Sequence, residues 1–441
     1  MAHVLVVSPH LPPDHVGGVE VYSQYLMRAY RARGHRVQGV AVEHVAGGDE
    51  ARCDVVTDEA DGYPTHRLTV TLPRVQVFPL LTDHPPTDAW LEALLRETRP
   101  DVMHVQSGYL LGAPALAAAA RTATPVVLTL HDYWFACPRV TLRHPSGAIC
   151  SGPDTPAKCA WCLSADQRRY RLLDGLTGGA LTQERELSWV WRTAVGGPTA
   201  AVEVRQAALA RHLRSAAVVM APTRFVAEQV AAGTGYPLAA IRLSRYGMPP
   251  VPRVVRPPRA AGAPLRLAFI GQLAPHKGVH LAIEALRALP DRALTLDVHG
   301  PLTPYPDYVA RLRTLAGGDP RITFRGPYRR EALADVFAAT DVVVVPSMWH
   351  EVAAIVIQEA QAAGLPVVAT TLGGSPELIK DGVDGLLFDA FADGALAAVF
   401  ARLADEPALY PALAAAAPTP RTIDDEVDAL LALYASLERA S

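Results

Sequence analysis

The sequence predicts an α/β protein built from two doubly wound parallel-sheet domains. Three observations carry that expectation. Short valine-rich apolar runs alternate along the whole chain with longer alanine-rich segments, as buried parallel strands alternate with the helices that cover them. At 441 residues the chain exceeds what one core usually organises, so two units of roughly 200 residues are expected. The stretch from Pro249 to Pro264 is extended and proline-rich, the clearest linker in the chain.

In the first domain, strands are expected near 3–8, 36–42, 101–105, 125–130, 217–221 and 241–245. Met1-Ala2-His3 leads straight into Val4-Leu5-Val6-Val7 with no basic segment before it, which reads as no secretory signal. Gly17-Gly18-Val19-Glu20 enters a helix running to about Arg33, and Gly34-His35 closes it. A glycine pair at that turn lets backbone approach a phosphate or sugar, although a plain turn would look the same. His131-Asp132 follows the strand at 125–130 at its carboxyl end. The second domain places strands near 265–271, 293–299, 321–325, 341–346, 366–370 and 385–388. The organisation is a first domain over 1–250 with a cysteine-rich insertion at 137–162, a linker at 251–264, a second domain over 265–405 and carboxyl-terminal helices over 406–441. The amphipathic segment Ile423 to Leu437 suits a helix crossing back to the first domain and a plain surface helix equally well.

The chemistry concentrates in the second domain. After the run Asp341 to Val345 come Glu351, before a helix over 355–363, and Glu359, two turns along it. Both stand near a strand's carboxyl end, the edge where open α/β sheets bind ligands. Two carboxylates at fixed separation suit a molecule rich in hydroxyls, while an isolated pair of this spacing would read as two surface glutamates. Next, Gly373-Gly374-Ser375-Pro376 reads as a glycine-rich helix start with Ser375 as N-cap, where backbone N–H groups favour an anion. Asp381-Gly382-Val383-Asp384-Gly385 is a turn into the next strand.

Together with Phe269 to Gly278, which contains Gln272 and Lys277, with Val298-His299-Gly300 and with Phe324-Arg325-Gly326, these motifs span about residues 265–390. In that order they resemble the carboxyl-terminal domain of the retaining glycosyltransferases of family 4, which have the GT-B fold of two Rossmann-like domains facing a cleft. The first half matches more sparsely. The resemblance implies transfer of a sugar from a UDP- or GDP-linked donor to a hydroxyl acceptor on a glycan, a lipid-linked molecule or a small molecule. It implies that Lys277, Gly373, Gly374, Gly17, Gly18 and Gln272 lie at the diphosphate, that Glu359 accepts the ribose hydroxyls and Glu351 a sugar hydroxyl, and that Gly326 and Tyr328 lie at the base. It places His131 by the reacting sugar, where an imidazole stabilises charge at the anomeric centre, with Asp132 orienting it or holding the acceptor. Retention would follow a front-face route in which the leaving phosphate takes the acceptor proton.

The chain departs from the pattern twice. Gln272 stands where an arginine is common, so charge neutralisation falls on Lys277 and the helix start. Val352-Ala353-Ala354 replaces the usual Pro-Phe-Gly beside the donor sugar. No Asp-x-Asp stands at a strand end, and catalysis without a divalent metal ion or other cofactor is expected. The rival readings are a sugar-nucleotide-binding protein without turnover, and a GT-B epimerase or phosphorylase. The absence of G-x-G-x-x-G weakens a dinucleotide oxidoreductase.

Four of the five cysteines, Cys137, Cys150, Cys159 and Cys162, fall in one segment with spacing C-x12-C-x8-C-x2-C. In a cytoplasmic protein this favours structural zinc over redox-switching thiols and over disulfides, with an iron–sulfur centre a further option. A subset of the family carries a similar insertion. Residues 163–214 hold eight arginines (168, 169, 171, 185, 192, 205, 211, 214) against five acids, with Trp189 and Trp191 between them. This suits peripheral contact with the inner face of the cytoplasmic membrane, or a solvated helical face. The formal charge of −3 argues against a nucleic-acid binder, and no uncharged apolar run reaches the ~18 residues a membrane helix needs. The cytoplasm is the expected compartment.

Overall fold

A computed structural model describes residues 1–13, 15, 17–59, 61–73, 83–165, 176, 196–254 and 262–438. The chain divides into two compact units, Met1–Tyr246 with Ile423–Ser441, and Gly247–Thr422.

The first unit runs β1 (His3–Ser8), α1 (Gly18–Ala32), β2 (Arg36–Gly48), β3 (Arg52–Asp58), β4 (Thr65–Pro73), α2 (Pro85–Thr98), β5 (Val102–Val105), α3 (Gly112–Thr122), β6 (Val126–Thr129), α4 (Pro156–Ser164), α5 (Gly196–Ser215), β7 (Val218–Ala221), α6 (Arg224–Thr234) and β8 (Ile241–Leu243). Its sheet has the order β3-β4-β2-β1-β5-β6-β7-β8. Strand β3 runs antiparallel to β4, and the other pairings among the described residues of this sheet are parallel. Every residue of β1, β5, β6 and β7 is buried, as covering a parallel sheet on both faces requires. From β1 the chain builds first towards β2 and later towards β5, so the topological switch lies between β1 and β5. Strands β3 and β4 are additional to those the sequence suggested.

The second unit runs β9 (Leu265–Ile270), α7 (Val279–Arg287), β10 (Leu294–His299), α8 (Pro306–Ala316), β11 (Ile322–Gly326), α9 (Leu333–Ala338), β12 (Val342–Val345), α10 (Ile355–Ala362), β13 (Val367–Thr370), α11 (Ser375–Leu378), β14 (Gly385–Phe388), α12 (Ala395–Asp405) and α13 (Leu409–Ala416). Its parallel sheet has the order β11-β10-β9-β12-β13-β14, with the switch between β9 and β12. One face of that sheet packs Leu267, Phe269, Leu296, Val298 and Val344 against Val279, Ile283 and Leu286 of α7 and Phe400 of α12.

The last helix, α14 (Ile423–Glu438), belongs to the first unit. Its Tyr434 hydroxyl lies 2.8 Å from the Tyr30 hydroxyl and 2.7 Å from His104 Nδ1, and Arg33 pairs with Asp424 and Asp428. Helices α12 and α13 stay with the second unit, and the chain returns to the first unit at residue 423. The start of the expected linker is also part of the second unit: Val254 N–H donates to the Ala363 carbonyl at 2.9 Å. Residues 255–261 lie outside the described residues, as do Arg168, Arg169, Arg171, Arg185, Arg192, Trp189 and Trp191 of the expected membrane-facing segment. Among the described residues no helix is long and apolar enough to cross a membrane.

Candidate functional site

An open sheet binds ligands where its strand order reverses, because the loops leaving the two central strands diverge there and leave a crevice. In the second unit those loops follow β9 and β12. The first carries Lys277, the second Glu351, and they meet. Lys277 Nζ donates to Glu351 Oε1 at 2.8 Å. The same carboxylate accepts the Ser347 hydroxyl at 2.5 Å and the Trp349 indole N–H at 2.8 Å. Glu351 is only 5% exposed. Burial pushes its pKa up, but the Lys277 ammonium and the two neutral donors push harder, so it is lowered and the carboxylate stays ionised. Lys277 also lies over the Trp349 ring, 4.9 Å from its centroid.

The two loops are tied by backbone as well. Met348 N–H donates to the His276 carbonyl at 2.7 Å, and Gly374 N–H donates to the Glu351 carbonyl at 2.7 Å. Gly373 lies against the backbone of His350 and Glu351, at φ 64, where a Cβ would stand 2.6 Å from Glu351 N. This corrects the expected phosphate cradle in two respects. The Gly374 N–H is already engaged inside the protein, and Gly374, not Ser375, is the N-cap of the four-residue α11. The Ser375 hydroxyl is instead buried and without a hydrogen-bond partner among the described residues.

Glu359 sits on α10, 2% exposed, and Arg330 Nη2 donates to its Oε1. Sequence reading missed Arg330, because it lies 29 positions away in a turn of 3₁₀ helix after β11. Tyr328 stands close by, and its pKa is raised by burial and lowered by Arg330. Its ring meets His299 edge-on with centroids 6.3 Å apart. Gly326 ends β11 at φ 75. Gln272 is exposed in the loop after β9. Lys277, Glu351, Gly373 and Gly374 are thus brought together, with Glu359, Arg330 and Tyr328 forming a second cluster in the same unit.

In the first unit, loops from β5, β6 and β8 assemble another cluster. His131 is buried with both ring nitrogens engaged, Nδ1 2.6 Å from the Tyr246 hydroxyl and Nε2 2.8 Å from Gln106 Oε1. A carbonyl oxygen accepts only, so Nε2 carries the proton and Nδ1 accepts from Tyr246. Burial, aided by His104, lowers its pKa to about 3. A neutral, enclosed ring does not fit the charge-stabilising role expected of His131; it holds Tyr246 and Gln106 in place. Asp132 accepts from Ser107 Oγ, from Tyr109 N–H at 3.3 Å and from Trp134 N–H at 2.8 Å, and shapes its loop. Gly17 is the N-cap of α1, and Gly18 is the helix's first residue. A Cβ on Gly17 would overlap the Glu20 carboxylate, which sits over this turn.

The four clustered cysteines all line one cavity of about 340 Å³. None of them forms a disulfide. Among the described residues no group of three or more His, Cys, Asp or Glu side chains is placed to hold a metal ion. The four cysteines expected to hold structural zinc stand as thiols in the wall of that cavity. Burial pushes Cys162 up to about 12, Arg139 opposing, and raises Cys137 and Cys159. Thiols of that kind are poor nucleophiles, which counts against a redox switch.

Comparison with known proteins agrees with this architecture. One family model, Glycosyltransferase Family 4, matches residues 16–155, and another, Glycosyl transferases group 1, matches residues 255–419. Both models are of glycosyltransferases, and they match the two halves of the chain in order. Among curated relatives, D-inositol 3-phosphate glycosyltransferase of Mycolicibacterium smegmatis is 37% identical over 172 residues, covering 38% of this chain and 39% of its own. That of Corynebacterium glutamicum is 38% identical over 158 residues, covering 34% and 38%. The chain thus spans about two fifths of the length of these relatives. Among solved structures, sucrose-phosphate synthase from Thermosynechococcus elongatus superposes with a TM-score of 0.65 at 18% identity, over 100% of both chains. Anabaena HepE in complex with UDP and glucose superposes at 0.60 and 17% identity, over 98% of this chain and 100% of its own. These likenesses are of the GT-B fold.

Proposed function

We propose that this protein is a family-4 glycosyltransferase that transfers a sugar, with retention at the anomeric carbon, from a UDP- or GDP-linked donor to a hydroxyl acceptor. The observation that carries the reading is the meeting of Lys277 and Glu351 at the β9/β12 switch. A cation and an ionised acceptor stand where a parallel sheet receives its ligand, and in the relatives' names that ligand class is a glycosyl donor. Lys277 turns to the diphosphate and takes up the charge that develops on the leaving phosphate, while Glu351 orients the sugar through a hydroxyl. The Ser375 hydroxyl donates to a phosphate oxygen. Glu359 accepts the ribose hydroxyls once Arg330 swings off it, and Arg330 then supplies the positive charge that Gln272 does not. The acceptor lies on the first domain, beside the loop that Asp132 and His131 hold. The leaving phosphate takes the acceptor proton, so no protein base is needed, and no divalent ion takes part.

Incubation with a panel of labelled nucleotide sugars should release nucleoside diphosphate from one UDP- or GDP-linked donor, with the anomeric configuration kept and the rate unchanged by brief EDTA treatment. Tight binding of a nucleotide sugar with no release against any acceptor would instead mark a protein that binds without turnover. Glu359→Gln should weaken nucleotide binding roughly tenfold or more, since an amide replaces an anionic acceptor and a charge-assisted bond contributes about 1.5–3 kcal/mol. Calorimetry giving equal dissociation constants for the two proteins would remove Glu359 from the ribose site.

A further inference from the structure

Arg205 is the least expected residue of the first unit. A guanidinium cannot shed its charge, and a buried charge without a counter-ion is costly. Yet Arg205 on α5 is 1% exposed. Its Nη2 donates to the Trp134 carbonyl, and its plane lies over the Trp134 ring, 4.4 Å from the centroid. Its Nε and Nη1 have no hydrogen-bond partner among the described residues. The groups whose charge bears on it are Cys137, Cys159 and Asp132. Asp132 already accepts three hydrogen bonds. The thiols are what remains.

Those thiols are presented in a particular way. Cys137 lies in a turn after β6, its own N–H bonded to the Tyr133 carbonyl at 2.6 Å. Cys150 accepts the N–H of Gly152, two residues on, at 3.4 Å. A peptide donor aimed at a sulfur stabilises it as a thiolate. Cys159 and Cys162 are three apart on α4 and so share a helix face. Two loop cysteines and one helical pair therefore open onto the same cavity of about 340 Å³.

We propose that Cys137, Cys150, Cys159 and Cys162 bind one zinc ion as a closed four-thiolate site whose negative charge is the counter-ion of Arg205. Each thiol releases its proton to solvent as its sulfur binds, and two positive charges against four negative leave a doubly negative centre. The cavity closes as the four side chains turn inward, so binding and local folding are one process. Arg205 then joins the metal centre to Trp134, whose N–H is held by Asp132 at 2.8 Å. Zinc thus fixes the loop over 131–137. The proposal rests on these residues alone and stands independently of the transferase reading.

The test uses the full chain purified under reducing conditions. Elemental analysis should find one zinc per chain, released as one equivalent when the thiols are titrated with an organomercurial. After removal of the zinc, cobalt(II) should restore one equivalent, with the intense ultraviolet sulfur-to-metal absorption and visible bands of tetrahedral thiolate. Cys159→Ser/Cys162→Ser should lose the metal and expose residues 137–162 to protease. Arg205→Met, which keeps all four ligands, should release zinc to a chelator at least tenfold faster. A metal-free protein whose four thiols titrate at once would overturn the site, iron with inorganic sulfide would replace zinc by a cluster, and an unchanged release rate in Arg205→Met would remove the counter-ion. Nucleotide affinity measured on the same samples reports on the donor site and not on the zinc.

Discussion

Lys277→Met is expected to abolish turnover and to cost the second unit about 3–5 kcal/mol, the range for removing one partner of a buried ion pair. Glu351 is buried, and Lys277 brings a positive charge to it where Ser347 and Trp349 bring neutral donors. Methionine keeps most of the side-chain volume, so the loss reports the charge and not a cavity. The pH dependence fixes the sign. In the wild type the Glu351 pKa is lowered below its ordinary 4.5, so its contribution is present above that value and fades as pH falls through the folded pKa. In the variant burial acts on the carboxyl without the Lys277 charge against it, and the pKa rises. Its stability is then fully present at low pH and is lost as pH climbs through the raised value. Chemical denaturation at pH 5 and pH 8 should therefore show a larger difference between variant and wild type at pH 8. An equal difference at both pH values would mean that Lys277 does not hold Glu351 ionised.

How far the sequence reveals this site depends on how each contact is made. Strands β9, β12 and β13 were legible within a residue or two because a strand covered on both faces must be apolar throughout, and Val342–Val345 is nothing but valine. β3 was not: in Arg52–Asp58 exposed and half-buried residues are mixed, and an edge strand with one open face needs no apolar run. The spacing of Glu351 and Glu359 was legible because one helix entry fixes it. Their partners were not. Arg330, Ser347 and Trp349 reach them through loop conformations that no periodicity records. His131 is the sharpest case, for its place at a strand end was legible while its enclosure was not. Gln106 and Tyr246, which enclose it, lie 25 and 115 positions away. Arg205 reads as one more surface charge until the fold buries it against Trp134.

Gly278→Ala is expected to disrupt the donor loop far more than its size suggests. Gly278 closes the turn that carries Lys277 and opens α7, at φ 69, a conformation that costs an L-residue roughly 1–2 kcal/mol. A Cβ there would also overlap the Pro346 carbonyl oxygen and stand 2.9 Å from the carbonyl carbon. That obstacle is backbone at the start of the loop that carries Ser347, Trp349 and Glu351, so relief requires the two loops to part. Parting them separates Lys277 from Glu351. Gly382→Ala supplies the comparison, because Gly382 has nearly the same φ, 72, with nothing within 4 Å of its would-be Cβ. It should cost only the conformational part, ~1–2 kcal/mol, and leave nucleotide affinity intact. Gly278→Ala should cost on the order of 3–5 kcal/mol, the size that marks a named steric or backbone fault, and lose nucleotide affinity with it. Equal destabilisation of the two variants, with affinity retained in both, would show that the β9 and β12 loops are not locked through Gly278, and that the meeting of Lys277 with Glu351 does not depend on it.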